Sequence, residues 1–286
     1  MGAAAMSLFL EVKFKGGLGN QLFQYATGRC LAVKKRIPHF LLNTDSYGYD
    51  AFGRKFGLDN FCIKGSVIKS AWTRNALRKG TKINKCLSVL PFYHAIEETG
   101  LRLHQFRDRL PLYTSLSGYW QSDSYFREIR DILTEELVPS ELPPFPQWQG
   151  APDTIAVHIR RTDYLADKRF GPLSENYYHD AMTAIRTSVK DPVFIFFSDD
   201  LEWCKERFPD KEIVFFEEKA WAKDYLQLFL MSKCKHQVIA NSSFSWWAAW
   251  LNTNPDRIII RPETPFLDGA LLYESYYPAD WTVIKN

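Results

Sequence analysis

The second half of the chain alternates short apolar runs with segments of helical periodicity, and this alternation restricts the possible fold more than any other feature. We predict strands at 154–159, 193–197, 213–216, 237–240 and 257–260, and helices at 174–188, 201–208, 222–233 and 244–251. Such alternation is typical of a parallel, doubly wound α/β sheet. The run VFIFF at 193–197 is apolar throughout, as expected of a strand that is covered on both faces.

The first half predicts a less regular unit of the same class. Residues 8–15 alternate like a strand, and the turn Lys15-Gly-Gly-Leu-Gly-Asn20 leads into a helix that ends near Lys35, with another strand at 38–42. Residues 117–121 resemble a strand, and Ser124 is the expected N-cap of an amphipathic helix. The apolar residues on one face of that helix are Phe126, Ile129, Leu133 and Leu137.

A proline-rich segment separates the two halves. Prolines occupy positions 139, 143, 144, 146 and 152, where each removes a backbone donor and disfavours a helix interior. Residues 1–150 hold 20 basic and 13 acidic residues, a net charge of +7, whereas 151–286 hold 16 and 20, a net charge of −4. We therefore predict an N-terminal domain at 1–146 and a C-terminal domain at 147–286.

Composition excludes several classes of protein and predicts a compartment. The net charge of +3 on 286 residues is too small to indicate nucleic-acid binding. The five cysteines are widely spaced and contain no C-x-x-C, so neither a disulfide framework nor a zinc site is indicated. With no signal peptide and no apolar run of about 18–20 residues, we expect a cytoplasmic protein.

A basic segment allows a second hypothesis about the cellular location of the protein. Residues 61–96 contain seven Lys or Arg and no acidic residue. Such a run usually forms a solvated face. The alternative is a docking surface for an anionic or membrane-bound acceptor, which would make the protein peripheral to the inner membrane. The sequence does not indicate an oligomeric state.

Three of the predicted strands run directly into polar clusters. The clusters are His158-Ile-Arg160-Arg161-Thr-Asp163, Ser198-Asp199-Asp200 and Asn241-Ser242-Ser243-Phe-Ser245. In open parallel sheets, ligands bind beyond the carboxyl ends of the strands. Each cluster alone could be a helix cap, but three at one edge favour a ligand site.

The residue types in these clusters suit a nucleoside diphosphate. An arginine offers two parallel donors to a phosphate, and the helix start at Asn241–Ser245 would add donors and a positive dipole end. Asp199 or Asp200 could accept from the N–H groups of a guanine-like base. Because no carboxylates cluster as a cage for a hard metal ion, we expect arginine rather than Mg²⁺ to offset the phosphate charge.

The N-terminal glycine turn gives a weaker alternative. Gly17-x-Gly19 follows a strand and opens a helix, but Leu22 stands where a dinucleotide-binding fingerprint has its third glycine. Asp45, near the end of the next predicted strand, could imitate the ribose-binding acid. This pattern alone is weak support for NAD(P) binding.

Five motifs in fixed order carry a family resemblance. They are KGGLGNQLFQYA at 15–26, GYWQS at 118–122, HIRRTDY at 158–164, FSDD at 197–200 and NSSFSWW at 241–247. Together they closely resemble the bacterial alpha-1,2-fucosyltransferases of glycosyltransferase family 11, over about residues 10 to 255. The resemblance implies two Rossmann-like domains in a GT-B architecture, with the donor site on the C-terminal sheet. It also implies GDP-fucose as donor, inverting transfer to the 2-hydroxyl of a terminal galactoside, and no required metal or other cofactor.

The resemblance also implies roles for individual donor-side residues. Arg160 should hold the beta-phosphate of the donor, and Arg161 should brace the loop. Asn20 should reach the donor from the first domain. The donor-binding set that we expect is Gly17, Gly19, Asn20, His158, Arg160, Asp199, Asp200, Asn241, Ser242, Ser243 and Ser245.

The catalytic base and the acceptor contacts are less directly specified. Asp163 is the favoured general base, with Asp167 and His158 as competitors. On the acceptor side we expect the aromatic residues of the first half, Tyr119, Trp120 and Tyr125. We expect Trp246, Trp247 and Trp250 to pack in the core, because such spacing on a helix is more often structural. After Ile260 the sequence departs from the Pro-x-x-Trp-type segment expected of relatives.

Two other functions remain open at this point. One is a transferase for a different GDP-hexose, because no residue can be tied to the missing 6-hydroxyl of fucose. The other is a non-catalytic sugar-binding protein, which would explain the 15% aromatic content but not the phosphate-type clusters. The acceptor could be free lactose, a lipid-linked glycan or another galactoside.

Overall fold

The computed structural model describes residues 9–50, 53–69, 93–98, 103–148, 153–167, 170–266 and 275–286. Internal packing divides the chain into two units. Unit 1 comprises Met1–Val138 and Leu272–Tyr276, and unit 2 comprises Pro139–Leu271 and Tyr277–Asn286. The change of unit between Val138 and Pro139 falls at the first proline of the proline-rich segment. Most of the basic segment at 61–96 lies outside the described residues.

Unit 1 is built on a parallel sheet. Its described strands are β1 (Phe9–Lys13), β2 (His39–Asn43), β3 (Ser66–Ile68), β4 (Tyr93–Glu97) and β5 (Tyr113–Ser117). They are ordered β3-β2-β1-β5-β4, and every adjacent pair is parallel. Its described α-helices are α1 (Leu18–Lys35) and α2 (Arg130–Glu136).

Helix α1 lies directly against the centre of this sheet because of one small residue. A Cβ placed at Gly28 would lie 2.3 Å from Val12 Cγ2 on β1 and 3.0 Å from Phe40 Cε2 on β2. Only glycine therefore allows the helix backbone to approach so closely.

The left-handed residue in the turn before α1 is Gly16, with φ +83°.

Unit 2 carries the doubly wound sheet that the alternation predicts. Its described strands are β6 (Thr154–Ile159), β7 (Val193–Ser198), β8 (Ile213–Phe215), β9 (His236–Val238), β10 (Ile259–Pro262) and β11 (Thr282–Ile284). They are ordered β11-β10-β9-β6-β7-β8, with parallel pairing throughout. Its described α-helices are α3 (Glu175–Ser188), α4 (Leu201–Arg207), α5 (Asp224–Ser232) and α6 (Ser243–Trp250).

The core of unit 2 explains why its elements were readable from sequence. Every residue of β6 is buried, and the apolar face of α3 packs on it together with Phe194 and Phe196 of β7. Trp246, Trp247 and Trp250 are buried, with side chains at most 3% exposed, so their predicted place in the core is confirmed.

Two local predictions in the first half were wrong, and one C-terminal strand was not predicted. The strand expected at 117–121 ends at Ser117, because Trp120 adopts a left-handed φ of 57° that a strand cannot continue through. The amphipathic helix expected to start at Ser124 is α-helical only from Arg130, with Ile129 at its N-cap. Ser122 instead caps the preceding 3-10 turn Asp123–Tyr125, where its hydroxyl accepts from the backbone N–H of Ser124 at 3.2 Å. Strand β11 was not predicted, since it spans only three residues, two of which are exposed.

The close approach at Gly28 gives a stability prediction. Gly28→Ala should lower the free energy of unfolding by about 1–3 kcal/mol, because the new methyl must displace Val12 or Phe40 in a packed core. This overpacking should exceed the gain of up to about 1 kcal/mol in helix propensity. Urea unfolding followed by circular dichroism measures the change.

Gly48→Ala is the matched control for this substitution. Within the part of the chain that the structure describes, no atom lies within 4 Å of a Cβ built at Gly48. The unfolding free energy of Gly48→Ala should therefore stay within about 0.5 kcal/mol of the parent. Equal stability of the Gly28 and Gly48 variants would contradict the packing argument.

Candidate functional site

The three polar clusters of the second half meet at one edge of the unit 2 sheet. Strand β6 pairs with β7 on one side and with β9 on the other, all in parallel. Residues 158–163 follow β6, residues 198–200 follow β7, and residues 241–245 follow β9. Adjacent strands therefore bring to one place the side chains that lie far apart in sequence.

Arg160 is held by two carboxylates. Its Nε and Nη2 donate to the two oxygens of Asp163, each at 2.8 Å. Its Nη1 lies 3.3 Å from Asp199 Oδ2, and the side chain remains 35% exposed. Partial burial opposes the charge, but the bonds to Asp163 and the charge of Asp199 outweigh it and raise the pKa of Arg160. The guanidinium fork is thus preformed and open to solvent.

Asp199 organises the loop that follows β6. It accepts hydrogen bonds from the backbone N–H of Arg161 at 2.9 Å and of Thr162 at 3.2 Å, and from the Thr162 hydroxyl. Burial raises the pKa of Asp199, but these bonds and the charge of Arg160 lower it by a larger amount. The net pKa is therefore below the usual value, and the carboxylate stays ionised. Asp199 therefore fixes the backbone on which Arg160 stands.

Arg161 and Asp200 form a second, structural pair. The Arg161 Nε donates to Asp200 Oδ2 at 3.1 Å, and its guanidinium carbon lies 3.8 Å from the centroid of the Trp203 ring. Asp200 is also the N-cap of α4 and accepts from the backbone N–H of Trp203 at 3.3 Å. These contacts suit the bracing role expected of Arg161. The guanine-reading role expected of Asp199 or Asp200 stays a prediction, and both carboxylates already serve this loop.

The Asn241–Ser245 cluster divides into packed and accessible residues. The Asn241 Nδ2 lies 3.1 to 3.2 Å from the carbonyl oxygens of Phe170, Gly171 and Pro265, which fastens two loops to the end of β9. Ser245 is fully buried, and its hydroxyl donates to the carbonyls of Ala240 and Ser242. The Asn241 amide nitrogen and the Ser245 hydroxyl therefore bond to neighbouring backbone, and the expected contact of these two residues with the donor stays a prediction.

Ser242 and Ser243 begin helix α6. The Ser242 hydroxyl accepts from the backbone N–H of Phe244 at 3.3 Å and caps the helix. Ser243 is the first helical residue and is partly exposed. The hydroxyl of Tyr164, the last residue of the HIRRTDY motif, lies 3.4 Å from the Asn241 carbonyl oxygen. Tyr164 thus connects the arginine loop to this helix start, a role that the sequence did not indicate.

His158 lies beneath the arginine loop and is 6% exposed. Its ring packs against Phe244 at 5.4 Å between centroids, and its Nδ1 is buried with no hydrogen-bond partner among the described residues. Burial, followed by the charge of Arg160, lowers the pKa of His158 to about 3. The imidazole is therefore neutral at physiological pH, which leaves it able to accept a proton only weakly.

The other proposed bases differ in their commitments. Asp163 is exposed and bonded to Arg160. Asp167 Oδ1 accepts from the backbone N–H of Phe170 at 3.1 Å and so stabilises a turn. Asp163 is the carboxylate that lies beside the arginine fork.

The glycine turn of unit 1 opens helix α1. Gly17 is the N-cap of α1, and no atom of the described residues lies within 4 Å of a Cβ built there. Gly19 is buried in the first turn of α1. Asn20 Oδ1 accepts from Gln121 Nε2 at 2.8 Å, which connects this turn to the GYWQS motif. The expected contact of these residues with the donor stays a prediction.

The three aromatic residues expected on the acceptor side are placed differently. Tyr119 is 38% exposed, whereas Trp120 is fully buried. The Trp120 ring packs edge-on against His104 and Tyr125, and the Tyr125 hydroxyl accepts from the backbone N–H of His104 at 2.8 Å. Trp120 therefore supports the loop, and Tyr119 presents an exposed ring.

Comparison with known sequences identifies relatives along the whole chain. The sequence model of Glycosyl transferase family 11 matches residues 3–285. An alpha-1,2-colitosyltransferase from Escherichia coli is 30% identical over 296 residues, covering 96% of this chain and 98% of that protein. The O-antigen biosynthesis glycosyltransferase WbnK from Escherichia coli is 30% identical, covering 88% and 93%. Galactoside alpha-(1,2)-fucosyltransferase 2 from Hylobates lar is 28% identical, covering 94% and 77%.

Comparison with solved structures concerns the fold. NodZ alpha-1,6-fucosyltransferase co-crystallised with GDP has a TM-score of 0.50 at 15% identity, covering 89% of this chain and 95% of that one. A mutant of Arabidopsis thaliana FUT1 in complex with GDP has a TM-score of 0.51 at 12% identity, covering 99% and 77%. The predicted GT-B architecture with two Rossmann-like units is confirmed. Among the described residues, no helix has the length and hydropathy of a membrane span.

The buried imidazole gives a pH prediction. The pKa of His158 is about 3 in the folded protein against an ordinary 6.5, so folding disfavours its protonation. The contribution of neutral His158 to the free energy of unfolding is fully present above pH 6.5, the pKa of this side chain in the unfolded protein. That contribution is lost as the pH falls from 6.5 toward 3. The loss approaches about 1.4 kcal/mol per pH unit.

His158→Gln removes the titrating group, and its unfolding free energy should fall less steeply with acid than that of the parent. Between pH 6.5 and 4.5 the difference between the two should change by about 2–3 kcal/mol. Urea titrations at a series of pH values measure this. Parallel stability curves for the two proteins would show that His158 is not held neutral by burial.

Proposed function

Because this chain belongs to glycosyltransferase family 11, we propose that it transfers L-fucose from GDP-fucose to the 2-hydroxyl of a terminal galactoside, with inversion at the fucose C1. The family membership and the alpha-1,2 linkage in the names of relatives support the reaction type. The observation that carries the donor assignment is the exposed Arg160 fork at the edge where the three clusters meet.

The fork is chemically suited to the leaving group. As the bond from C1 to the diphosphate breaks, negative charge grows on the beta-phosphate. A guanidinium fixed beforehand by Asp199 stabilises that charge without reorganising, so it favours the transition state over the ground state. The positive end of the helix dipole at the start of α6 would add to the same potential.

Asp163 has a second part in the proposed mechanism. Its carboxylate now holds the same guanidinium nitrogens that a phosphate would take. Binding of the diphosphate would exchange one anion for another on the fork and release Asp163. A released carboxylate next to the reacting centre could accept the proton of the attacking 2-hydroxyl.

We further propose that no divalent cation is required. Among the described residues, no group of three or more His, Cys, Asp or Glu side chains is arranged to hold a metal ion. Asp199 and Asp200 are both paired with arginines instead. The positive charge near the leaving group would therefore come from the protein itself.

The donor sugar has one specific competitor. A relative covering nearly the whole chain is named a colitosyltransferase, and colitose is fucose without its 3-hydroxyl. GDP-colitose is thus a second candidate donor, within the wider alternative of another GDP-hexose. A sugar-binding protein without activity is the remaining alternative, and it would need no preformed anion site.

A transfer assay tests the proposed reaction. With GDP-fucose, EDTA and a panel of galactosides, we expect a new alpha-1,2 linkage that NMR identifies in the product. GDP-colitose at equal concentration serves as the competing donor. A preference for GDP-colitose would contradict the assignment of fucose as the donor sugar. Activity that is abolished by EDTA and restored by magnesium would contradict the cation-free mechanism. Calorimetry with GDP, UDP and NAD separates a guanosine preference from no nucleotide binding.

The fork itself gives a mutational prediction. Arg160→Ala should lower kcat by about 10²–10³, the effect of losing one preorganised donor to a developing anion. Arg160→Lys should be nearly as damaging, because an ammonium is a point charge without parallel donors.

Arg186→Lys is the control for Arg160→Lys. Arg186 is a comparably exposed arginine paired with Asp210 and Glu212, and its replacement should leave kcat within about twofold of the parent. Full activity of Arg160→Lys would remove the fork from the mechanism.

A further inference from the structure

Three side chains meet at the carboxyl edge of the unit 1 sheet. Lys15 follows β1, Tyr119 follows β5 and Glu98 follows β4, and these three strands are neighbours in the order β1-β5-β4. The carboxyl edge of a parallel sheet is where ligands bind in folds of this class. Of the three, only Tyr119 was expected on the acceptor side from the sequence.

The Glu98 carboxylate holds the loop that carries Tyr119. Its oxygens accept from the backbone N–H of Tyr119 at 2.6 Å and of Trp120 at 3.0 Å. A Cβ placed at Gly118 would lie 2.4 Å from Glu98 Cβ and 2.8 Å from Glu98 Oε2. The loop therefore wraps closely around this side chain, and only glycine fits at its first position.

The hydrogen bonds to Glu98 determine which aromatic ring of this loop faces solvent. With its N–H fixed on Glu98, Trp120 takes a left-handed φ of 57° and turns its ring into the interior. Tyr119 is left 38% exposed. Burial raises the pKa of Glu98 by more than the bonds from Trp120 and Tyr119 and the charge of Lys15 lower it. Keeping this carboxylate ionised in the loop therefore costs free energy.

Lys15 is fixed beside the exposed ring by independent contacts. Its backbone N–H donates to Gln24 Oε1 at 3.0 Å, and its carbonyl accepts from Gln24 Nε2 at 3.1 Å. Its Nζ lies 4.5 Å from the centroid of the Tyr119 ring. An exposed ring next to a flexible ammonium offers an apolar surface and hydrogen-bond donors, the combination that a pyranose requires.

We propose that Glu98 is a positioning residue of the acceptor subsite, holding the loop so that Tyr119 and Lys15 contact the galactopyranose. The ring would pack on the C–H face of the sugar, and the ammonium would donate to its hydroxyls. Because both Glu98 oxygens are bonded to backbone, Glu98 acts through the loop and does not touch the sugar. This inference rests on the proposed function, from which it takes a galactoside as acceptor.

Equilibrium binding tests the inference without turnover. Methyl β-D-galactopyranoside is titrated by saturation-transfer NMR, and GDP is titrated against the same proteins by calorimetry. Tyr119→Ala and Glu98→Ala should each weaken galactoside binding by about tenfold, the scale of one lost aromatic contact. Glu98→Gln keeps an accepting oxygen and should stay within about twofold of the parent. GDP affinity should be unchanged in all three variants.

The matched control is Tyr49→Ala, which removes another tyrosine of unit 1 that is 71% exposed and should leave galactoside affinity unchanged. Absence of galactoside binding by the parent protein, or Glu98→Ala binding as tightly as the parent, would overturn the inference. A joint loss of GDP and galactoside affinity in Glu98→Ala would also overturn it, by showing a general role in folding. Galactoside binding without GDP binding in the parent would contradict the proposed donor and leave the role of Glu98 supported.

Discussion

The parallel pairing of β6 with β7 and β9 is the constraint on which the candidate donor site depends. Parallel strands have their carboxyl ends at the same edge, so residues after position 159, 198 and 238 must emerge together. Every residue of β6 is buried, so this pairing lies within the core of unit 2. The chemistry at the edge is therefore positioned by a core that takes no part in it.

Charge balance within the arginine loop is the second level of organisation. Asp199 bonds the loop backbone and pairs with Arg160, while Asp200 pairs with Arg161 and caps α4. Carboxylates that sequence reasoning assigned to a ligand thus hold the guanidinium groups in place. A site assembled in this way has its donors oriented before any anion arrives, which is the condition for electrostatic catalysis.

The two units use the same principle in different ways. In unit 2 a carboxylate braces the loop that carries an exposed arginine, which suits an anion. In unit 1 the Glu98 carboxylate braces a loop that carries an exposed tyrosine, which suits a sugar. In both, a carboxylate accepts hydrogen bonds from backbone N–H groups of a loop distant in sequence and so fixes that loop.

The sequence determined the elements whose signal is local. The apolar runs gave β6 and β7, the helical pattern of residues 174–188 gave α3, and the helical spacing of Trp246 and Trp250 gave their burial. The motifs also named the residues at the edge of the unit 2 sheet, because strand ends can be read from pattern.

What only the tertiary structure decided depends on contacts between distant residues. Three features depend on contacts that form only after folding. They are the pairing of Arg160 with Asp163, the inward orientation of the Trp120 ring, and the hydrogen bonds of Glu98 to residues 119 and 120. Neighbouring arginines are equivalent in a sequence, and a carboxylate in isolation has no assigned partner. Folding distinguishes them because each hydrogen bond depends on distance and direction, which no local pattern records.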